Sequence, residues 1–164
     1  MGLLMRIAVV GDTGLLGQAV LKRFAGDHEI LGISSSFTAG NYKHIRLDLS
    51  CEMASFFNEV KIFKPKLLIN CAGLVDVKKC EELKEEALFL NAALPGLLAE
   101  FSKSEEIFFI HISTDHIFNG KKRSPYTENE PPDPLNYYGE SKLQGEIRTA
   151  FKNPKALIVR TNIV

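Results

Sequence analysis

A short apolar run, Ile7-Ala8-Val9-Val10, breaks at once into Gly11-Asp12-Thr13-Gly14-Leu15-Leu16-Gly17, with its glycines three residues apart. Behind it, Leu16, Ala19, Val20 and Phe24 recur at helical spacing, predicting a helix over Leu15–Phe24. A strand, a tight glycine turn and an amphipathic helix in that order restrict the chain to a βα unit whose turn can receive a phosphate. The first glycine permits the turn, the second lets the backbone approach a pyrophosphate, and the third lets helix and strand pack closely. The free N–H groups of the helix N-terminus then face the anion.

The rest of the chain repeats the alternation. Short apolar runs predict strands at Ile30–Ile33, His44–Leu47, Leu67–Ile69, Ile107–Ile112 and Ala156–Val159. Phe56, Val60 and Phe63 mark a helix that stops before Pro65. Leu83, Ala87, Leu90, Leu94 and Leu97 predict a long helix from about Lys79 to Ser102, bent or interrupted near Pro95. Tyr137–Phe151 reads as a further helix, and residues 34–44 and 119–136 read as loops. Strands alternating with helices predict an α/β fold: a doubly wound parallel sheet, Rossmann-like, with helices on both faces. Residues 1–164 are expected to form one such dinucleotide-binding domain.

Composition narrows the function. With 20 Lys+Arg against 20 Asp+Glu, the chain has no net charge and lacks the broad basic field of nucleic-acid binding. No apolar run approaches the roughly 18 residues of a membrane span. Met1-Gly2 begins like a myristoylation signal, but Arg6 stands where Ser or Thr is required. The 3 cysteines, Cys51, Cys71 and Cys80, lack a C-x-x-C pair and read as reduced thiols in a cytoplasmic protein. No spacing of His, Cys, Asp or Glu suggests a metal centre.

The end of the second strand should select the cofactor. It reads Gly32-Ile33-Ser34-Ser35-Ser36, with no carboxylate to grip a ribose 2′-hydroxyl. Ser34, with Lys43 or Arg46 nearby, favours a 2′-phosphate and hence NADPH over NADH. On the last helix Tyr138 and Lys142 are four apart, on one face, after a strand ending in Ser113-Thr114-Asp115. A phenol with a pKa of about 10 is a sluggish proton carrier at neutral pH, and a neighbouring ammonium should lower it. Tyr138 would then exchange a proton with an alcohol or ketone oxygen held by Thr114.

Taken together, the Gly11–Gly17 loop, Asp48-Leu49, Asn70-Cys71-Ala72-Gly73, Asn91, Ser113-Thr114-Asp115 and the Tyr138/Lys142 pair resemble an extended short-chain dehydrogenase/reductase. The stretches His111–Gly120, Pro125-Tyr126-Thr127-Glu128 and Pro134–Glu146 are similar to its dTDP-4-dehydrorhamnose reductase branch. The resemblance implies that Thr114, Tyr138 and Lys142 are catalytic. It implies that Gly11, Thr13, Gly14, Leu15, Leu16 and Gly17 form the phosphate loop, that Asp48 and Leu49 embrace the adenine, and that Gly73, Leu74 and Val75 contact the cofactor. Asn91 would support the site from its helix, and Asp115, with Thr114, would contact substrate. It further implies NADPH or NADH as cofactor and a nucleotide-sugar substrate whose 4-keto group is reduced.

Two relatives of that chemistry are alternatives: a sugar-nucleotide epimerase or dehydratase, and a non-catalytic regulatory subunit like the beta subunit of methionine adenosyltransferase. A homodimer is left open. His116 departs from the branch, which usually has Tyr there. Family members continue well beyond the sixth strand into a C-terminal substrate lobe, so a truncated chain is expected.

Overall fold

A computed structural model describes residues 4–37 and 40–162. Thr38 and Ala39 of the first expected loop, and the Met1-Gly2 start, lie outside the described residues. Six strands form one sheet: β1 Arg6–Val10, β2 Glu29–Ser34, β3 Lys43–Arg46, β4 Leu67–Asn70, β5 Phe108–Thr114 and β6 Leu157–Thr161. Every pairing is parallel, and the order is β3-β2-β1-β4-β5-β6. This is the doubly wound sheet expected from the alternation of elements. The chain reverses direction across the sheet between β1 and β4, so the crevice for a ligand opens at their C-terminal ends.

Alternation along β1 builds both sides of the core. Ile7 and Val9 pack with Leu21 of α1 (Leu15–Phe24), on one face. Ala8 and Val10 pack on the other face with Phe56 and Val60 of α2 (Met53–Phe63), and with Leu94 and Leu98. Phe56 is wholly buried, and removing a side chain of that size from water stabilises by roughly 2–3 kcal/mol.

The long helix expected over Lys79–Ser102 is instead a broken series. It comprises α3 (Val77–Glu82), α4 (Lys84–Leu88), a π-helical turn (Phe89–Ala93) and α5 (Leu94–Ser104). One break lies at Leu83, whose φ −117° and ψ 57° leave the helical region, and before Pro95 the α-helix is interrupted, as one of the two expected outcomes has it, by the wider π turn. Pro95 has no N–H to offer the preceding turn, and the Leu94 N–H reaches back five residues to Phe89 O. Asp76 caps α3 by accepting from the Lys79 N–H at 3.0 Å. The last helix, α6 (Tyr137–Lys152), starts where expected and packs against α5. Its N-cap Asn136 accepts from the Gly139 N–H at 2.9 Å.

Several strand ends also differ. β2 runs on to Ser34, β4 to Asn70 and β6 to Thr161, while β3 stops at Arg46. β5 continues past Ile112 to Thr114 because Ser113 and Thr114 find partners in Arg160 and Thr161 of β6. Polar residues at the end of a buried strand thereby stay in the ladder, and Thr114 is carried to the sheet edge of the crevice.

Candidate active site

The glycine loop sits at the C-terminal end of β1. Gly11 has φ +78°, and a Cβ there would lie 2.6 Å from the Ala72 nitrogen at the end of β4. A Cβ on Gly17 would collide with the Gly11 carbonyl oxygen and the Asp12 Cα, so this glycine lets α1 close onto its strand. Gly14 is different. A Cβ there meets only the Gly11 oxygen, at 3.4 Å, so protein packing does not demand a glycine. Gly14 is also the N-cap of α1 and lines the crevice.

Two contiguous cavities fill that crevice and share Gly14, Cys71, Ala72 and Gly73. One, about 240 Å³, is lined by Gly11, Thr13, Gly14, Ser34, Ser35, Asp48, Leu49 and Gly73. The other, about 370 Å³, is lined by Leu15, Leu16, Gly73, Val75, Thr114, Asp115, His116, Tyr138 and Lys142. Gly11, Thr13, Asp48 and Leu49 therefore face one end, Leu15 and Leu16 face the other with the three candidate catalytic residues, and Gly14 borders both. Gly17, Leu74 and Asn91 line neither cavity. Asn91 is buried and clamps the Leu74 peptide: its Oδ1 accepts from Leu74 N–H and its Nδ2 donates to Leu74 O, both at 2.9 Å. Nδ2 also lies 3.0 Å from Ser141 Oγ, joining the Gly73–Val75 wall to α6.

Lys142 is buried, and its Nζ donates to the Ile112 carbonyl at 2.6 Å. Burial pulls its pKa down to about 8, against the opposing pull of Glu146 and Cys71. The Tyr138 phenol is shifted the other way. Burial raises its pKa, a hydrogen bond with Thr114 lowers it, and the charges of Cys80 and Asp115 raise it. The expectation that Lys142 lowers the Tyr138 pKa is thereby corrected: burial of the phenol prevails, and Lys142 is not among the groups that shift it. At neutral pH Tyr138 keeps its proton and can donate it. Thr114 Oγ1 accepts from the His116 N–H at 3.2 Å, and the His116 ring stands edge-on to Tyr138 with centroids 5.4 Å apart. Cys71, at the junction of the cavities, is held protonated by burial, its pKa raised to about 11.

Ser34 lines the smaller cavity, but its hydroxyl donates to Ser36 O at 3.0 Å. Lys43 is paired with Glu59 at 3.2 Å, and Arg46 Nε donates to Ser35 O at 2.9 Å. Asp48 accepts from the N–H and hydroxyl of Ser50, which lowers its pKa.

Sequence reasoning missed the support behind Thr114. Glu146, buried on α6, accepts from Ser113 Oγ at 2.5 Å and from Arg160 NH2 at 2.7 Å. Arg160 NH1 donates to Glu128 O and the guanidinium lies over Phe118, so one side chain ties β6 to the 119–136 loop. Spacing offered one signal, since Glu146 follows Lys142 by four residues on the same helical face. Among the described residues no group of three or more His, Cys, Asp or Glu could hold a metal ion. No helix there is long and apolar enough to cross a membrane.

A family model described as the RmlD substrate binding domain matches residues 5–164. The chain belongs to this family. Among RmlD-family relatives, the dTDP-4-dehydrorhamnose reductase of Sinorhizobium fredii is 32% identical over 160 residues, covering 98% of this chain and 51% of the relative. The methionine adenosyltransferase 2 subunit beta of Danio rerio is 35% identical over 160 residues, covering 97% and 48%. The crystal structure of the Bacillus anthracis dTDP-4-dehydrorhamnose reductase in complex with NADP superposes with a TM-score of 0.83 at 25% identity, covering 98% of this chain and 54% of that one. The chain spans about half the length of the curated relatives it matches. The resemblance read from His111–Gly120 and Pro134–Glu146 to the reductase branch is borne out.

Proposed function

We propose that the protein is an NAD(P)H-dependent reductase of the 4-keto group of a nucleotide-activated deoxysugar, of the dTDP-4-dehydrorhamnose class. The observation that carries this reading is the opening of Thr114, Tyr138 and Lys142 into the crevice that Gly14 also lines. The crevice suits a dinucleotide, because Gly14 faces it without being required by packing, as close approach of a pyrophosphate needs. NADPH or NADH supplies the hydride when bound.

The chain's own groups do the rest. The N–H groups at the start of α1, around Gly14, Leu15 and Leu16, receive the pyrophosphate. Ser34, Asp48 and Leu49 border the adenosine, and Gly73–Val75 present backbone to the middle of the cofactor. Lys142 holds the nicotinamide ribose. Tyr138 donates its proton to the carbonyl oxygen, and the upward shift of its pKa suits a donor that must arrive protonated. Thr114 orients that oxygen, and Asp115 contacts the sugar. A cytoplasmic location fits three free thiols.

A second reading has its own support, the 35% identity to a methionine adenosyltransferase beta subunit. Under it the crevice binds cofactor and nothing turns over. The test is oxidation of NADPH and NADH by the protein with dTDP-, UDP- and GDP-linked 4-keto-6-deoxysugars. Turnover with one of them supports the reductase, and cofactor binding without turnover favours the subunit.

A further inference from the structure

The glycine loop carries an acid that the proposed chemistry does not use. Asp12, directly after Gly11, is fully buried, and an uncompensated carboxylate there would repel a pyrophosphate at the same turn. The surroundings are built to hold it. Asp12 Oδ2 lies 2.7 Å from His44 Nδ1 of β3 and accepts from the Tyr42 hydroxyl at 3.2 Å. Gly32, opposite His44 in the β2–β3 register, makes the space, since a Cβ there would collide with Asp12 Oδ2 and the Tyr42 ring. Asp12 Oδ1 has no hydrogen-bond partner.

The other imidazole nitrogen, Nε2, lies 3.1 Å from the carbonyl oxygen of Ser36. A carbonyl only accepts, so Nε2 carries a hydrogen. A proton must then also lie between Nδ1 and Oδ2, since two bare acceptors would not approach to 2.7 Å. The Asp12–His44 pair is therefore neutral as a whole. The Nε2 bond grips the turn after β2, where Ser34 and Ser35 line the adenosine-side cavity.

We propose that His44 is a positioning residue for cofactor binding: its imidazolium cancels the Asp12 charge beneath the pyrophosphate and fastens the β2–β3 turn to the glycine loop. The inference rests on the reading of that loop as a pyrophosphate site. The groups facing His44 are Asp12 from the loop, the Ser36 carbonyl, and the Phe37 ring edge-on at 5.9 Å, with the Tyr42 hydroxyl on the same Asp12 oxygen. Asp12 is the ionisable acid among them.

The test combines dissociation constants for NADPH and NADH with imidazole nitrogen NMR. His44→Gln should weaken both cofactors roughly ten-fold, because the carboxylate is left unneutralised. Adding Asp12→Asn to His44→Gln should recover most of that loss, which a merely structural role for His44 would not allow. In the parent, both His44 nitrogens should show imidazolium shifts at neutral pH. A folded double variant no better than His44→Gln overturns the proposal, and a neutral His44 ring in the parent overturns it even if the variants fold poorly. Failure of the parent to bind either cofactor is a separate result and overturns the pyrophosphate reading on which the proposal stands.

Discussion

The Lys142 ammonium donates to the Ile112 carbonyl at 2.6 Å, tethering the helix that bears Tyr138 to the strand that bears Thr114. The lysine is thus fixed by the main chain independently of the phenol. Its pKa, lowered by burial to about 8 from 10.5, gives a pH signature. Cofactor affinity that depends on the ammonium should decline as pH rises through about 8, and Lys142→Met should remove that part of the profile. Stability should move oppositely. Between about 8 and 10.5 the unfolded chain binds the proton that the folded chain has released, so this group's share of stability rises with pH across that window. Denaturant unfolding of parent and Lys142→Met across the same range checks the sign.

Gly17 and Gly14 should respond differently to substitution. Gly17→Ala drives a Cβ into the Gly11 carbonyl, and the backbone cannot yield without moving α1 off β1. A loss of about 2–4 kcal/mol in denaturant unfolding is expected. Gly14→Asp has room in the fold, so stability should change little. Its carboxylate would face the pyrophosphate, and NADPH should bind at least ~10-fold more weakly, about 1.4 kcal/mol. Equal binding curves for parent and Gly14→Asp would remove the loop assignment.

Asn91→Ala strips four hydrogen bonds from a buried site, the long one to Cys80 Sγ included, and leaves both Leu74 backbone groups without their clamp. Stability should fall by about 2–4 kcal/mol, with weaker cofactor binding as the Gly73–Val75 wall loosens. A variant that unfolds at the parent's denaturant midpoint contradicts the clamp.

The Ser34 hydroxyl spends its proton on Ser36 O, and an aspartate there has no proton to donate. Ser34→Asp should therefore turn its carboxylate to the cavity, accept from a ribose 2′-hydroxyl and repel a 2′-phosphate. The ratio of NADH to NADPH dissociation constants should shift toward NADH. An unchanged ratio places the 2′ position elsewhere.

What the sequence disclosed was local. The apolar run at Ile7–Val10, the glycine spacing and the α1 periodicity lie within 18 consecutive residues, Ile7–Phe24, and each constrains the next. Tyr138 and Lys142 were legible for the same reason, as neighbours on one helical face. The π turn at Phe89–Ala93 was not, because it accompanies contacts that periodicity does not contain: the Asn91 clamp on Leu74 and the close passage of α6 at Gly145. The Tyr138 pKa was misjudged because helix spacing places Lys142 beside it, while burial of the phenol prevails. Arg160 carried no motif; its role appears only when β6 closes against β5 and brings it to Glu146.

The central claim is that Tyr138 gives a proton to a sugar carbonyl, and Tyr138→Phe tests it most directly. The substitution removes one hydroxyl and little volume, so fold and NADPH affinity should survive. The measurement is kcat for NADPH oxidation with the 4-keto sugar nucleotide that the parent reduces best. A fall of roughly 10²–10⁴ is expected, with the NADPH dissociation constant unchanged. A Tyr138→Phe protein that turns over at the parent's rate, or a parent that binds NADPH and reduces none of the sugars, would contradict it.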